Sequence, residues 1–232
     1  MALSCPSASA GTPRQGCGRR IIKVGGLRLA LQLAIAIVVF SATAGGAATK
    51  AFAFSRHELE AKIAYCQDCH GPSGQGFRGY YPIPRLGGQQ TEYFENQLRA
   101  FADGQRLNSI MRPVARSLSP AMITALATDF RAFNPRPLGG DRRGLAAMGE
   151  KIFQDGVPEE NVPACAACHG PAATGFEQIP HLAGQIYPYM VKTLTNFRKD
   201  RKEHLSDVMY PVVESLNKQQ IEAVAAYVSS LR

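Results

Sequence analysis

Two copies of a Cys-x-x-Cys-His motif divide this chain. "CQDCHGPSGQGF" occupies residues 66–77, and "CAACHGPAATGF" occupies residues 165–176. Four of the six cysteines in the 232-residue chain lie in these two copies. Self-similarity on this scale predicts a chain built from two related units, each organised around its own copy of the motif.

The N-terminal segment has the layout of an export signal. An uncharged stretch, residues 29–49, is followed by small residues at Ala51 and Ala53, just before Phe54. The positive charges ahead of it are Arg14, Arg19, Arg20, Lys23 and Arg28. This pattern predicts a signal peptide over residues 1–53, cleaved near Ala53, and therefore a periplasmic protein. The alternative is an uncleaved anchor, because about 20 uncharged residues can span a bilayer.

Removing that leader changes the charge of the chain. It holds six of the 26 Lys and Arg residues and none of the 18 Asp and Glu residues, so the net charge falls from +8 to +2. A remainder so nearly neutral does not favour a nucleic-acid partner, and we expect membrane contact only through partners unless the leader is retained. Cys5 and Cys17 leave with the leader, so every remaining cysteine belongs to a motif. This count excludes a disulfide scaffold.

The repeat extends well beyond the cysteines. "IPRLGGQ" at residues 83–89 corresponds to "IPHLAGQ" at 179–185, and "MRPVARSL" at 111–118 corresponds to "MYPVVESL" at 209–216. A Pro/Gly-rich stretch, "NPRPLGG" at 134–140, separates the copies. We therefore expect two domains, residues 54–136 and 137–232.

The apolar spacing in each unit is helical. Phe94, Leu98 and Phe101 form an i, i+4, i+7 stripe, which Met190, Leu194 and Phe197 repeat in the second copy. Capping residues precede the last segment of each unit: Ser119 with Pro120, and Asn217 with Gln220. A further helix is expected before each Cys-x-x-Cys-His motif, and no stretch alternates as a strand. The predicted fold class is all-α.

Three kinds of site use a Cys-x-x-Cys-His motif: zinc, a redox dithiol and covalent haem. Zinc requires four ligands, and neither unit offers a second Cys/His pair at suitable spacing. A redox dithiol normally belongs to a βαβ unit, which is absent here. Haem attachment uses all three residues, because the cysteines form thioethers and the histidine ligates iron. The two predicted haem c groups would be held by Cys66, Cys69 and His70, and by Cys165, Cys168 and His169.

The repeat also selects a second iron ligand. Of the five methionines after residue 53, only Met111 and Met209 match each other, and each is followed two residues later by proline. Met190 falls on a core stripe and is expected to be packing. We therefore predict Met111 and Met209 as the axial ligands opposite the motif histidines. The histidines without a partner in the other copy are expected to be surface or structural residues: His57, His181 and His204.

This motif set resembles the class I cytochromes c, and specifically the tandem dihaem cytochrome c4 family, over essentially all of residues 54–232. The resemblance implies two tandem class I domains, one His/Met-ligated haem in each, and electron shuttling in the periplasm. It implies that the carbonyls of Pro84 and Pro180 accept the N–H of the proximal histidines, which orients the rings. The other haem-environment residues that it implies are Leu86, Leu182, Tyr93 and Tyr189.

One departure from the family pattern concerns the helix crossing. Class I cytochromes usually place a glycine and an aromatic residue where the first and last helices cross. The second unit offers Gly149, Phe153 and Tyr227 for this purpose. The first unit has Leu59 and Ile63 with no evident glycine, so its crossing is the less well determined.

Three functions are compatible with these residues. A carrier is favoured, because a Met/His-ligated haem leaves no coordination position for a substrate. Its implied partners are a quinol-oxidising complex and a terminal oxidase. The same residues would serve a dihaem subunit of a dehydrogenase. A dihaem peroxidase is disfavoured, because matching methionines in both units leave neither iron open.

Overall fold

The computed structural model describes residues 54–139, 142–199 and 208–232, excluding the side chains of residues 143, 198 and 199. These ranges contain helices and isolated β-bridges but no strand, which confirms the all-α class. None of the helices described has the length and hydropathy needed to cross a bilayer. The predicted signal peptide, residues 1–53, lies outside the described residues.

Both halves place a long helix on either side of a short one that begins with methionine. The first half has α1 (Arg56–His70), α2 (Thr91–Asp103), α3 (Met111–Arg116) and α4 (Pro120–Ala132). The second half has α5 (Arg143–Asp155), a 3-10 turn (Pro158–Glu160), α6 (Ala166–His169), α7 (Tyr187–Lys199), α8 (Met209–Glu214) and α9 (Lys218–Ser230). The predicted helical segments are therefore confirmed.

Side-chain caps start the long helices where the sequence indicates them. Ser119 caps α4 by accepting the N–H of Met122, with Pro120 in the first turn. Asn217 and Gln220 form a full capping box at the start of α9. These caps satisfy N–H groups that have no partner within the helix, so both predicted starts are confirmed.

The apolar stripes of these helices form two hydrophobic clusters. The first includes Phe94, Leu98, Phe101, Ile123, Leu126 and Phe130, from α2 and α4. The second includes Ile152, Phe153, Met190, Leu194, Val224 and Val228, from α5, α7 and α9. The clusters lie on opposite sides of the boundary expected at residues 134–140. The assignment of two domains to residues 54–136 and 137–232 stays a prediction.

The two Cys-x-x-Cys-His motifs enter the fold differently. In the first half, α1 continues without a break through both cysteines to His70. In the second half, α5 ends at Asp155, because Gly156 has φ +78° and a bridge between Val157 and Val162 follows. A separate short helix, α6, then carries the motif. The helix expected ahead of each motif is thus present, but in the first half it includes the motif itself.

The helix crossing of the second half is close, as expected. A Cβ added to Gly149 would lie 1.9 Å from the carbonyl oxygen of Ala223 and 2.9 Å from the Cβ of Tyr227, so α5 and α9 touch there through their backbones. Phe153 packs on Tyr227, with ring centroids 5.5 Å apart. In the first half, Leu59 and Ile63 are only partly buried against the core.

Candidate haem sites

The two motif histidines occupy equivalent positions at the end of a helix. His70 is 7% exposed and His169 is 6% exposed. His70 Nδ1 lies 2.8 Å from the carbonyl oxygen of Pro84, and His169 Nδ1 lies 3.1 Å from that of Pro180. A carbonyl only accepts, so Nδ1 carries the proton in each ring and donates it. The other ring nitrogen, Nε2, is then unprotonated and has the lone pair that a metal requires.

Burial keeps both imidazoles in the form that binds metal. It lowers the pKa of His70, while the hydrogen bond to Pro84 opposes that change in part. The pKa of His169 is lowered for the same reason, with the bond to Pro180 again opposing. A cationic imidazole has no free lone pair, so a lowered pKa favours ligation.

The loop after each motif is held by equivalent backbone hydrogen bonds. Leu86 N–H donates to Gly74 O at 2.7 Å, and Leu182 N–H donates to Ala173 O at 2.8 Å. The glycine of each "GQ" pair is tied to the end of the last helix of its half: Gly88 N–H to Phe130 O at 2.9 Å, and Gly184 N–H to Val228 O at 2.8 Å. These bonds fix the position of each Pro-x-Leu segment, whose proline carbonyl accepts the hydrogen bond from the histidine of the same half.

The four motif cysteines are free thiols. Cys66 and Cys165 are half-buried and pack against the core of their own half, whereas Cys69 and Cys168 are exposed. Burial raises the pKa of Cys66 and of Cys165 to about 11. Among the described residues, no group of three or more His, Cys, Asp or Glu side chains is placed to hold a metal ion.

Met111 and Met209 begin the short helices α3 and α8. Both are partly buried, and each packs against the same core as the first cysteine of its half. Leu86 joins the first of these groups and Leu182 joins the second. Met122 and Met190, by contrast, are buried within the hydrophobic clusters. The methionine, leucine and cysteine predicted for each site therefore border one cluster.

A buried arginine joins the two predicted tyrosines. Arg106 Nη2 donates to Tyr189 Oη at 3.0 Å, and Arg106 Nη1 donates to Gln97 Oε1 at 2.6 Å. The guanidinium also hydrogen-bonds Tyr93, whose pKa burial raises to about 12. In the part of the chain that the structure describes, no carboxylate forms an ion pair with Arg106. The sequence offered no sign of this residue.

These side chains fit a covalent haem in each half. Each motif supplies two unpaired thiols, a buried neutral histidine with its Nδ1 already bonded, and a thioether on the border of the same core. Among the described residues, the buried guanidinium of Arg106 has neutral acceptors, whereas a buried charge normally has an ionic partner. The propionate groups of haem are carboxylates of the kind that such a guanidinium binds.

Comparison with known proteins identifies the family. The family model for cytochrome c matches residues 146–232. The cytochrome c-552 of Acidithiobacillus ferridurans is 40% identical over 173 residues, covering 72% of this chain and 73% of the relative. The structure of Acidithiobacillus ferrooxidans cytochrome c4 aligns with a TM-score of 0.65 at 39% identity, covering 72% of this chain and 99% of that one. The chain belongs to the cytochrome c4 family.

A further relative of this cytochrome c4 chain is named as the electron acceptor of an enzyme. The thiosulfate dehydrogenase electron acceptor of Thiomonas intermedia (strain K12) is 36% identical over 175 residues, covering 73% of this chain and 79% of the relative. Membership of the cytochrome c4 family confirms the class I all-α fold. It also identifies the chain as an electron-transfer cytochrome that carries covalently bound haem c.

The repeat contains two further functional candidates outside the Cys-x-x-Cys-His motifs. Gln89 and Gln185 are identical in the two "GQ" pairs, and both are buried. Each hydrogen-bonds the backbone of the other half next to the proline that holds a histidine. Their repetition in the sequence was a visible signal. Their partners were not visible, because the contacts join residues roughly a hundred positions apart.

Proposed function

We propose that this protein is a periplasmic dihaem cytochrome c4 that carries electrons between redox partners. One haem c would be attached to Cys66 and Cys69, with His70 and Met111 as axial ligands. The other would be attached to Cys165 and Cys168, with His169 and Met209 as axial ligands. The haem iron, when bound, supplies the one-electron chemistry. A signal peptide over residues 1–53, cleaved near Ala53, would place the protein in the periplasm.

The observation that carries this proposal is the identical arrangement of the two histidines. Each is buried, each donates from Nδ1 to a proline carbonyl, and each thereby presents Nε2 alone for ligation. The matched methionines at the start of α3 and α8 supply the second ligand in each half. Because the two sites are built alike, a function that requires only one open iron is disfavoured.

The remaining residues of each site would control its surroundings. Leu86 and Leu182 border the core of their half and would line the haem with apolar surface. This surface would limit the access of water to the haem, which is one of the factors that set its reduction potential. Tyr93 and Tyr189 hold Arg106 between them, and this cluster would bind a propionate. Pro84 and Pro180 orient the proximal rings through their carbonyls.

This ligation supports a carrier and not an enzyme. With a methionine and a histidine both bound, the iron would have no position for a substrate, and this pair of ligands would raise its reduction potential. Two such sites in one chain allow two electrons to be held or passed in sequence. A peroxidase would need one iron that opens, and neither half differs from the other in its ligands.

For the partner, the relatives favour a dehydrogenase as electron donor. The Thiomonas intermedia relative is named as an electron acceptor of thiosulfate dehydrogenase, and its similarity extends over most of both chains. We therefore propose that this protein accepts electrons from a periplasmic dehydrogenase, as a free carrier or a docked subunit. A quinol-oxidising complex and a terminal oxidase are the alternative donor and acceptor. Stopped-flow reduction by purified candidate enzymes distinguishes them.

The test of ligation is an optical spectrum of the matured protein, oxidised and reduced, with carbon monoxide added to the reduced form. Two low-spin c-type haems with methionine–iron charge transfer and no reaction with carbon monoxide support a carrier. Met111→Ala and Met209→Ala should each open one iron to carbon monoxide and lower its potential. Met122→Ala, the control, should lower stability but leave both spectra unchanged, because Met122 lies in the core. A haem that binds carbon monoxide readily in the unaltered protein contradicts the proposal.

A further inference from the structure

The peptide group that follows Pro84 is hydrogen-bonded at both ends. Its carbonyl oxygen, on Pro84, accepts the Nδ1 proton of His70 at 2.8 Å. Its N–H, on Arg85, donates to Oε1 of Gln185 in the other half at 2.7 Å. The side chain of Gln185 also returns a bond, because its Nε2 donates to Arg85 O at 3.1 Å. One glutamine of the second half thus binds the backbone that orients the histidine of the first.

The reverse contact has the same form. The carbonyl oxygen of Pro180 accepts the Nδ1 proton of His169 at 3.1 Å, and the N–H of the same peptide group, on His181, donates to Gln89 Oε1 at 2.8 Å. Gln89 Nε2 then donates to His181 O at 3.2 Å. Gln89 and Gln185 occupy equivalent positions of the repeat, so the two contacts are reciprocal.

Both glutamine amides are held firmly in these positions. Gln89 is 7% exposed and Gln185 is 6% exposed. Each Oε1 accepts a second bond from the backbone N–H of the next residue: Gln90 at 2.9 Å in one half and Ile186 at 2.9 Å in the other. A buried amide with both its oxygen and its nitrogen bonded has one favoured orientation. The contacts are therefore built into the interface between the halves.

We propose that Gln185 sets the reduction potential of the haem ligated by His70, and that Gln89 sets that of the haem ligated by His169. This inference rests on the proposed function, because it requires both histidines to be iron ligands. The two glutamines are positioning residues that act across the interface, each through a proline peptide of the other half.

The direction of the effect follows from the conjugation of the peptide group. An acceptor at the N–H end makes the carbonyl oxygen more negative, because hydrogen bonds in a chain polarise one another. A more negative carbonyl draws the Nδ1 proton more strongly, which raises the basicity of the imidazole towards iron. A more basic ligand favours iron(III) over iron(II). Removing the glutamine should therefore raise the potential of the haem in the opposite half.

A third glutamine at the same interface provides a matched control. Gln90 is also buried, and its Nε2 donates across the interface to the carbonyls of Thr174 at 2.7 Å and Gly175 at 2.9 Å. Neither carbonyl belongs to the peptide that binds a motif histidine. Gln90→Leu therefore removes cross-interface hydrogen bonds of comparable length without touching either proline peptide.

The experiment is a spectroelectrochemical titration of the matured, haem-loaded protein and of its Gln185→Leu, Gln89→Leu and Gln90→Leu variants. Met111→His and Met209→His, which should each lower one potential, assign the two potentials to their halves. Gln185→Leu should raise the potential of the His70 haem alone, and Gln89→Leu that of the His169 haem alone. We expect a roughly two- to tenfold change in the iron(III) to iron(II) ratio, equivalent to about 20 to 60 mV for one electron.

A second measurement does not depend on electron transfer. Amide hydrogen exchange should quicken at Arg85 in the Gln185 variant and at His181 in the Gln89 variant, since each N–H loses its acceptor.

If a leucine variant does not fold, Gln185→Asn and Gln89→Asn replace it. These variants keep the amide but are one methylene too short, and they should shift the same potentials in the same direction. Equal shifts at both haems, shifts as large in Gln90→Leu, or no shift in a folded variant would overturn the inference. Failure of the proposed function is distinct, because it would appear as an open haem in the unaltered protein.

Discussion

The two halves build the same ligand site on differently packed cores. The His–Pro hydrogen bond, the methionine at the start of a short helix and the cross-interface glutamine occur in both. The aromatic packing does not. In the first half, Phe130 stacks on Phe94 with centroids 5.6 Å apart and meets Phe133 edge-on at 5.2 Å. In the second half the corresponding residues are Met190, Val228 and Leu231, and the aromatic pair is Phe153 with Tyr227.

This difference shows which parts of the fold require particular side chains and which require only that the core be filled. The residues that would touch haem are repeated by type, because ligation and hydrogen bonding require particular atoms. The residues that fill the core differ in type between the halves, since close packing can be reached from different positions. The first half places its aromatic rings between α2 and α4, and the second half places them where α5 crosses α9. Each half should therefore be sensitive to mutation at a different place.

The largest effect should come from truncating Phe130. Its ring is fully buried and packs against two other rings, so Phe130→Ala should lower the free energy of unfolding by about 3 to 5 kcal/mol. Val228→Ala, the equivalent change in the second half, should cost about 2 kcal/mol, because a fully buried valine loses less apolar surface. Denaturant unfolding of the oxidised protein, followed by the methionine–iron band, measures both.

The half that is destabilised first is as informative as the loss of free energy. Loss of Phe130 should release the axial methionine of the first half before that of the second, which proton NMR resolves because each methionine methyl gives its own signal. Equal costs for the two variants would mean that the aromatic cluster is not what distinguishes the first half.

The next effect should come from Gly149, in the crossing of the second half. An alanine Cβ there would meet the carbonyl of Ala223 at 1.9 Å, and a backbone atom cannot rotate away. Separating α5 from α9 should cost about 3 kcal/mol, at the upper end of typical overpacking costs. Gly144→Ala is the control on the same helix: apart from its chain neighbours and the backbone of its own helix, no heavy atom of the described residues lies within 4 Å of its added Cβ, and alanine is the better helix former.

Thermal unfolding of the two glycine variants separates close packing from helix propensity. A lower midpoint for Gly149→Ala with an unchanged or higher midpoint for Gly144→Ala is the expected pair. A stable Gly149→Ala variant would mean that the packing of α5 on α9 does not depend on the close backbone approach at Gly149.

The sequence predicted those features that depend on local spacing. The helical stripes, the caps at Ser119 and Asn217 and the all-α class follow from patterns within a few residues. The close approach at Gly149 was also predicted, from the family pattern. The continuation of α1 through the motif, in contrast to the break after α5, was not predicted. It depends on Gly156 and the bridge that follows, which have no counterpart in the first copy.

The contacts between the halves could not be predicted from one sequence. Gln185 and Arg85 meet only because the two repeats dock face to face, and nothing in their local spacing encodes that arrangement. Arg106 bonds Tyr189 for the same reason. The repeat established which residues are equivalent, but it did not establish which would be neighbours.

The smallest predicted effect is a pH dependence of stability at the residue that follows Pro84 or Pro180. This residue is Arg85 in the first half and His181 in the second. Burial lowers the pKa of His181, and the charge of Arg85 lowers it further, while a bond from its Nε2 to Ala183 O at 3.0 Å opposes the change in part. Arg131 is the other charge that acts on it. Below about pH 6.5, His181 binds a proton in the unfolded chain but not in the folded one. The free energy of unfolding therefore falls as the pH drops from about 6.5 towards the lowered pKa of His181 in the folded protein.

His181→Asn isolates this contribution, since the motif histidines are common to both proteins and cancel in the difference. The free energy of unfolding of the unaltered protein should decline relative to the variant between about pH 6.5 and 5, by less than about 1.4 kcal/mol per pH unit, because the ring is partly exposed. Above pH 7 the difference should be constant. Arg85 stays charged throughout this range, so the equivalent position of the first half has no such dependence. Parallel curves from pH 8 to 5 would show that His181 titrates alike in the folded and unfolded chains, and that the two equivalent positions do not differ in their response to acid.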